Sequence, residues 1–314
     1  MARLRHPMLH HRRTARSGSA CAGAALGALL ALGCASAPPS RFPSAEAVLD
    51  RMRQTVACSR AVRAEAKIDY FGDQGRARGN VMYIAQLPEQ LRFDVFSPFG
   101  VTLATLTSDG KNFALYDFRE KSFHYGPASV CNVARFTRVP VPPHALAQLL
   151  RGEAPVLVHS PEQASLHWSS GLFSSGRYVV EIQSKHAARE RIELTPRPED
   201  WQRPWAEQRL RVLSVAIEQQ GIELYSAELA DHRVVRTALA QTDPDGLSPT
   251  LPPSGPACDA EVPGRVRLEV PGTDQDLILR NDRVHHNPPL DSRSFRQVPP
   301  GGVSVRYSGC TTTP

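Results

Sequence analysis

The chain of 314 residues carries 37 basic and 31 acidic side chains, for a formal net charge of +6. Arg3, Arg5, Arg12, Arg13 and Arg16 lie in the first 33 residues, which hold no acid; taking these five from 37 leaves 32 basic against 31 acidic groups, a net of +1. That balance excludes nucleic acid as a partner and makes the basic excess a targeting feature. The length suits one large β-rich domain or two smaller ones, and no fixed-period repeat or change of composition argues for two.

Behind the arginines, an apolar run at 20–32 ends in Leu30-Ala31-Leu32-Gly33-Cys34. It is too short to span a bilayer comfortably and is followed by polar chain, so residues 1–33 read as a signal peptide. A cysteine directly behind a small residue has the form of a bacterial lipobox, with Ala31 standing where a larger aliphatic side chain is usual and Leu32 where a small one is. Cys34 is therefore the expected lipidation site, with an ordinary secretory signal cleaved nearby as the alternative. Each buried methylene of an attached chain contributes roughly 0.8 kcal/mol, so several palmitate-length chains make a permanent anchor. Ala35 and Ser36 follow the cysteine where inner-membrane retention would call for an aspartate, which predicts a periplasm-facing position on the outer membrane.

Residues 34–43 read as a proline-stiffened tether. Ser44 is an N-cap, and Ala45, Val48, Leu49, Met52 and Val56 recur at helical spacing, predicting a helix over 45–58. Val62, Ala64, Ala66, Ile68 and Tyr70 then alternate with charged residues, and strands are predicted at 62–70 and 78–85. Leu91, Phe93 and Val95 alternate in the same way before Ser97-Pro98-Phe99-Gly100 forces a turn. Strands at 101–107 and 112–118 flank Asp109-Gly110, a hairpin signal, and a short strand follows at 122–125. Helices at 131–136 and 144–150 are separated by Pro140, Pro142 and Pro143. Five strands follow, at 164–169, 177–183, 190–195, 209–218 and 222–229, with Trp201 and Trp205 as packing residues in a proline-rich loop. A second proline-rich loop is expected at 242–263, a hairpin at 266–270 and 276–280, and irregular chain over 287–302.

Successive antiparallel strands disfavour a nucleotide-binding βαβ fold. The Pro-Phe-Gly turn between two strands, the strand pair behind it, and the segment 136–151 (FTRVPVPPHALAQLLR) together resemble the LolB outer-membrane lipoprotein receptors, within the LolA-like group. LolB has Gly-Pro-Leu-Gly at the turn, then the same order of short helix, proline break, Leu-rich helix and glycine. The likeness covers residues 44–152 well and the later strands in outline. It implies a mainly β fold with a few helices: a curved, unclosed antiparallel barrel over 44–314, with 45–58, 131–136 and 144–150 as its helical lid. The implied ligands are lipoprotein or lipid acyl chains, held in a cleft for which Ala66, Ile68, Phe93, Val95, Leu103, Phe113 and Leu115 are the candidate lining. The implied partners are the outer membrane and a periplasmic LolA-like carrier. In LolB the turn leucine projects from the barrel and serves membrane delivery, and the resemblance gives Pro98, Phe99 and Gly100 that place. Alternation by itself fits a closed core as well as a cleft, and Phe99 buried under the lid as well as exposed.

The mature cysteines, Cys58, Cys131, Cys258 and Cys310, are even in number in an oxidising compartment. Four cysteines allow three pairings; Cys58–Cys131 with Cys258–Cys310 is the expected set, each pair tying a helical or terminal segment to neighbouring structure. No C-x-x-C spacing points to metal or thiol chemistry. No G-x-S-x-G, H-E-x-x-H, P-loop or G-x-G-x-x-G is present, so neither a catalytic residue, a metal nor a cofactor is expected. His285-His286 reads as exposed loop, and Asp274, Asp276 and Asp282 as a solvated face. A non-enzymatic scaffold or interaction module at the outer membrane is the alternative to a lipid carrier, since fold does not settle function.

Overall fold

A computed structural model of the chain describes residues 37–72, 75–137, 139–171, 174–240, 242, 245 and 250–310. Cys34 and the leader lie outside the described residues. The alternating first half folds as six consecutive antiparallel strands: β1 (Ala61–Gly72), β2 (Gly75–Gln86), β3 (Gln90–Phe96), β4 (Thr102–Ser108), β5 (Asn112–Asp117) and β6 (Ser122–Pro127). The Asp109 carboxylate accepts the amides of Lys111 and Asn112 at 3.0 and 2.8 Å, closing the β4–β5 turn as its Asp-Gly sequence anticipates. Three helices, α1 (Ala45–Val56), α2 (Val130–Thr137) and α3 (Pro143–Arg151), stand before and after this meander.

The second half contributes β7 (Ala164–Gly171), β8 (Ser174–Gln183), β9 (Ala188–Pro196), β10 (Leu210–Gln219), β11 (Ile222–Ala230), β14 (Arg265–Val270) and β15 (Gln275–His286). β15 returns to pair with β1, which joins the halves into one 14-stranded sheet. Its outermost strands are β7 and β16 (Ser304–Tyr307), and they do not pair with each other. Among the described residues the fold is mainly β, with three helices and a large unclosed sheet.

Side chains on the inner face come from every second position, as a pleated strand requires. α1 lies over β7 and β10 and buries Val48, Leu49 and Met52 there; the Ser44 hydroxyl accepts the Ala47 amide at 3.3 Å to start the helix. α3 lies over β1, β2 and β3, begins at Pro143, and ends at Gly152 in the left-handed conformation (φ 87°). The fully buried Arg151 guanidinium donates through Nε to the Ser59 carbonyl at 2.8 Å and pairs with Glu153, tying α3 to the start of β1.

Four expectations need correction. The proline-rich loop at 242–263 ends in a strand, β13 (Asp259–Val262), which pairs with β12 (Arg233–Arg236) in a separate ribbon. Beyond 302, where no strand was expected, β16 lies parallel to β6, an arrangement with no short-range sequence signal. His286 is buried at the end of β15, and its imidazole is held down to about 4, by burial first and then by the Arg151 charge. The predicted tether is shorter than 34–43. The Ser40 hydroxyl accepts the Trp205 amide at 2.9 Å, and Phe42 is buried against Tyr178 and Trp205.

The disulfides are Cys58–Cys258 and Cys131–Cys310, not the expected pairs, with Cα separations of 6.5 and 6.2 Å. The long-range packing explains both. Buried Asn287 donates to the carbonyls of Cys58 and Pro256 at 2.7 and 3.0 Å, drawing the 256–258 segment onto the end of α1. The β6–β16 pairing carries the tail to the start of α2, where Asn132 donates to the Ser308 carbonyl at 3.0 Å.

Candidate functional site

The inner face beneath α3 is not filled. A cavity of about 280 Å³ remains between β1–β5, the β14–β15 hairpin, α3 and the chain leading into α3. That leading chain turns at Pro140, where the Val141 amide donates to the Val139 carbonyl at 2.8 Å, and its residues alternate: Val139 and Val141 face this cavity, whereas Pro140 and Pro142 face a second pocket on the other side. The V-P-V-P sequence therefore forms a strap dividing the space inside the sheet. Its prolines have no amide with which to join a ladder.

Of the predicted lining, Ile68, Phe93, Val95 and Leu115 surround the cavity. Ala66 belongs to the packed core beside it. Phe113 is 1 % exposed in a smaller cluster with Leu106 and Leu115, one strand-step away from the cavity. Leu103 is misplaced by one residue: β4 pairs Ala104 with Val95 and Leu106 with Phe93, so Ala104 and Leu106 face inward and Leu103 outward. A one-residue slip flips every side chain, and Thr-Leu-Ala-Thr-Leu-Thr-Ser offers no strong alternation from which to read the face. Sequence reasoning also missed Val139, Val141, Leu146, Leu268, Leu277 and Leu279. The valines carried a signal, apolar residues alternating with prolines; the others look like ordinary core.

Asp117 is the charged residue in this lining, and it stands at the end of β5. Strand register puts the β1–β2, β3–β4, β5–β6, β10–β11 and β14–β15 turns on one rim of the sheet. Ile68, Val95, Ala104, Asp117 and Leu277 are all within a few residues of those turns, so the cavity lies toward that rim.

Phe99 sits at the tip of the β3–β4 turn and is 92 % exposed. The Ser97 hydroxyl accepts the amides of Phe99 and Val101 at 3.3 and 3.1 Å, and the Gly100 amide donates to the Ser97 carbonyl at 3.0 Å. Gly100 has φ 78°, a value that favours glycine, so the turn is locally determined and holds Phe99 outward. Phe71, Val101, Phe118 and Ile222 are exposed on the same rim, so Phe99 is one of a group. Among the described residues no set of three metal-ligating side chains converges, and no helix is long and apolar enough to cross a membrane.

Neither a family model nor a curated protein sequence matches the chain. Solved structures share its fold. A DUF1329 family protein from Desulfovibrio piger superimposes with a TM-score of 0.50 at 10% identity, over 80% of this chain and 96% of that one. A LolA superfamily protein from Nitrosomonas europaea gives 0.47 at 8% identity, over 82% of this chain and 99% of that one. A domain named for outer membrane lipoprotein sorting, from Vibrio parahaemolyticus, gives 0.42 at 11% identity, over 79% and 95%. The likeness to the Desulfovibrio piger protein speaks to fold and not to activity.

Proposed function

We propose that the chain is a non-enzymatic binder of acyl chains, acting as a lipid or lipoprotein acceptor or carrier at the outer membrane, with residues 44–314 working as one unit. The observation that carries this reading is the apolar cavity under α3, lined by Ile68, Phe93, Val95, Ala104 and Leu115 and bounded by the Val139–Val141 strap. A void of this kind forfeits dispersion contacts that a packed core would make, and an apolar ligand restores them. At about 280 Å³ it falls just under the ~300–1,000 Å³ of ordinary ligand pockets, so it takes part of one chain.

Phe99 and its neighbours on the rim give the cavity an apolar approach. An exposed phenylalanine forgoes a burial worth roughly 1.5–3 kcal/mol, which insertion into a bilayer or against an incoming acyl chain restores. Acylation at Cys34 would hold the protein at the outer membrane, and Cys34→Ala is expected to release it from that membrane fraction.

Mass spectrometry of the natively purified protein tests the central claim. Acyl lipid is expected to co-purify with the wild type and to be reduced in Ala104→Phe, whose ring fills the cavity. Wild-type protein that is free of lipid, and binds none when it is offered, rules the reading out.

A further inference from the structure

The far side of the V-P-V-P strap is a pocket of about 530 Å³, lined by the strap prolines, residues 155–158, and the rim ends of β8–β11. Its wall is mostly apolar, with Pro155, Val156, Ile217 and Leu224, while the exposed His144, Lys185 and His186 stand at its mouth. Glu190 also lines it. β9 pairs Glu190 with Ile182 on one side and Ile217 on the other, both inner-face core residues, so a carboxyl occupies an apolar row of the sheet. Glu190 is 2 % exposed; its Oε2 accepts the Leu157 amide at 2.7 Å, and its Oε1 has no hydrogen-bond partner among the described residues.

A buried polar atom without a partner costs about 1–3 kcal/mol, more when charged, and apolar side chains on either side offer it no compensation. The loop supplying the single partner is itself held in place: His159 bonds the Leu157 carbonyl at 2.7 Å and Glu46 of α1 at 2.8 Å, and the Ser184 hydroxyl donates to the Val158 carbonyl. Glu190 is therefore offered to the pocket on a braced wall.

We propose that this pocket is a second ligand site, taking a chain amphiphile whose uncharged carbonyl, in an amide or ester, bonds Glu190 while its tail lies along Val156, Ile217 and Leu224. The proposal rests on the acyl-binding reading only for the chain part of the ligand. Desolvation raises the Glu190 carboxyl to about 8, the Leu157 amide and the nearby His159 opposing it. At neutral pH the group is mainly protonated and donates its proton to a carbonyl oxygen. The same desolvation works against a second negative charge, so the site favours an amide or ester over a free carboxylate. The first cavity offers no equivalent contact deep in its wall, since its carboxylate, Asp117, sits at a strand end.

Equilibrium dialysis with radiolabelled palmitamide and hexadecane, delivered from cyclodextrin, tests this on the full mature chain. The wild type is expected to prefer palmitamide about tenfold, the scale of one buried hydrogen bond. Glu190→Gln, which keeps a donor and an acceptor, retains the preference. Glu190→Leu reduces it to about onefold without losing hexadecane, and Leu224→Trp weakens palmitamide by crowding the pocket. Ala104→Phe acts in the first cavity, removes hexadecane bound there and leaves the palmitamide preference intact, so a failure of the acyl-binding reading is seen separately. Melting curves accompany each variant, and should Glu190→Leu not fold, Leu224→Trp decides. A preference that survives Glu190→Leu, or is unmoved by Leu224→Trp, or disappears in Ala104→Phe, overturns the proposal, as does wild-type protein with no preference at all.

Discussion

Two regions of the inner face, one under α1 and one under α3, differ in how completely they are filled. Beneath α1, residues such as Val180, Ile192, Val212 and Val215 are fully buried, and Phe42 and Trp205 close the end of the layer. Beneath α3, Ile68, Phe93 and Val95 remain partly accessible around a cavity, although their strands alternate just as cleanly. Helix dimensions account for part of the difference. α1 presents Leu49 and Met52 from a 12-residue helix, whereas α3 has nine residues and shares its space with a strap that places only alternate side chains, Val139 and Val141, against the cavity. A packed region and a hollow region therefore share one sheet.

That contrast can be broken by large-to-small substitution. Leu49→Ala, in the filled region, is expected to cost about 2–5 kcal/mol in urea unfolding, because close-packed surroundings cannot relax into the space. Val95→Ala, in the hollow region, should cost well under that, about 1 kcal/mol or less, because its methyls already border a void. Equal costs would mean that the cavity is not a feature of the protein in solution.

Glu190 sharpens the contrast, being a carboxyl placed in the otherwise apolar wall of the second pocket. Its folded value of about 8 lies above the ordinary 4.5, so between those values the folded chain holds a proton that the unfolded chain releases. Its contribution is therefore fully present below about pH 4.5 and is lost as pH rises through about 8, by an amount on the order of 5 kcal/mol. Glu190→Gln should flatten the stability profile across that window; an unchanged slope would show that another group titrates there.

The smallest stability effect is expected outside both regions. Phe99→Glu should move unfolding by less than about 0.5 kcal/mol, since the side chain is almost wholly exposed, while reducing liposome association or lipoprotein delivery. A fall in melting temperature of several degrees would place Phe99 in a structural role, and undiminished delivery would remove it from the functional rim.

Much of this molecule is determined by local pattern. The strand alternation at 62–70 and 91–95, the Asp109-Gly110 hairpin, the Ser44 cap, and the proline and glycine that delimit α3 all act over a few residues, where steric and hydrogen-bonding preferences are strong. The exposure of Phe99 is local for the same reason, because the Ser97 hydroxyl and the left-handed Gly100 shape that turn. Tertiary structure alone decided the rest. Cys58 met Cys258, 200 residues away, because Asn287 bridges their segments, and Cys131 met Cys310 because a parallel edge strand leads the tail there. The inward face of β4 was settled by its register against β3, and Leu103 and Ala104 exchange faces with a single step. Whether an apolar face becomes core or cavity depends on the volume brought against it, and alternation along a strand contains no measure of that volume.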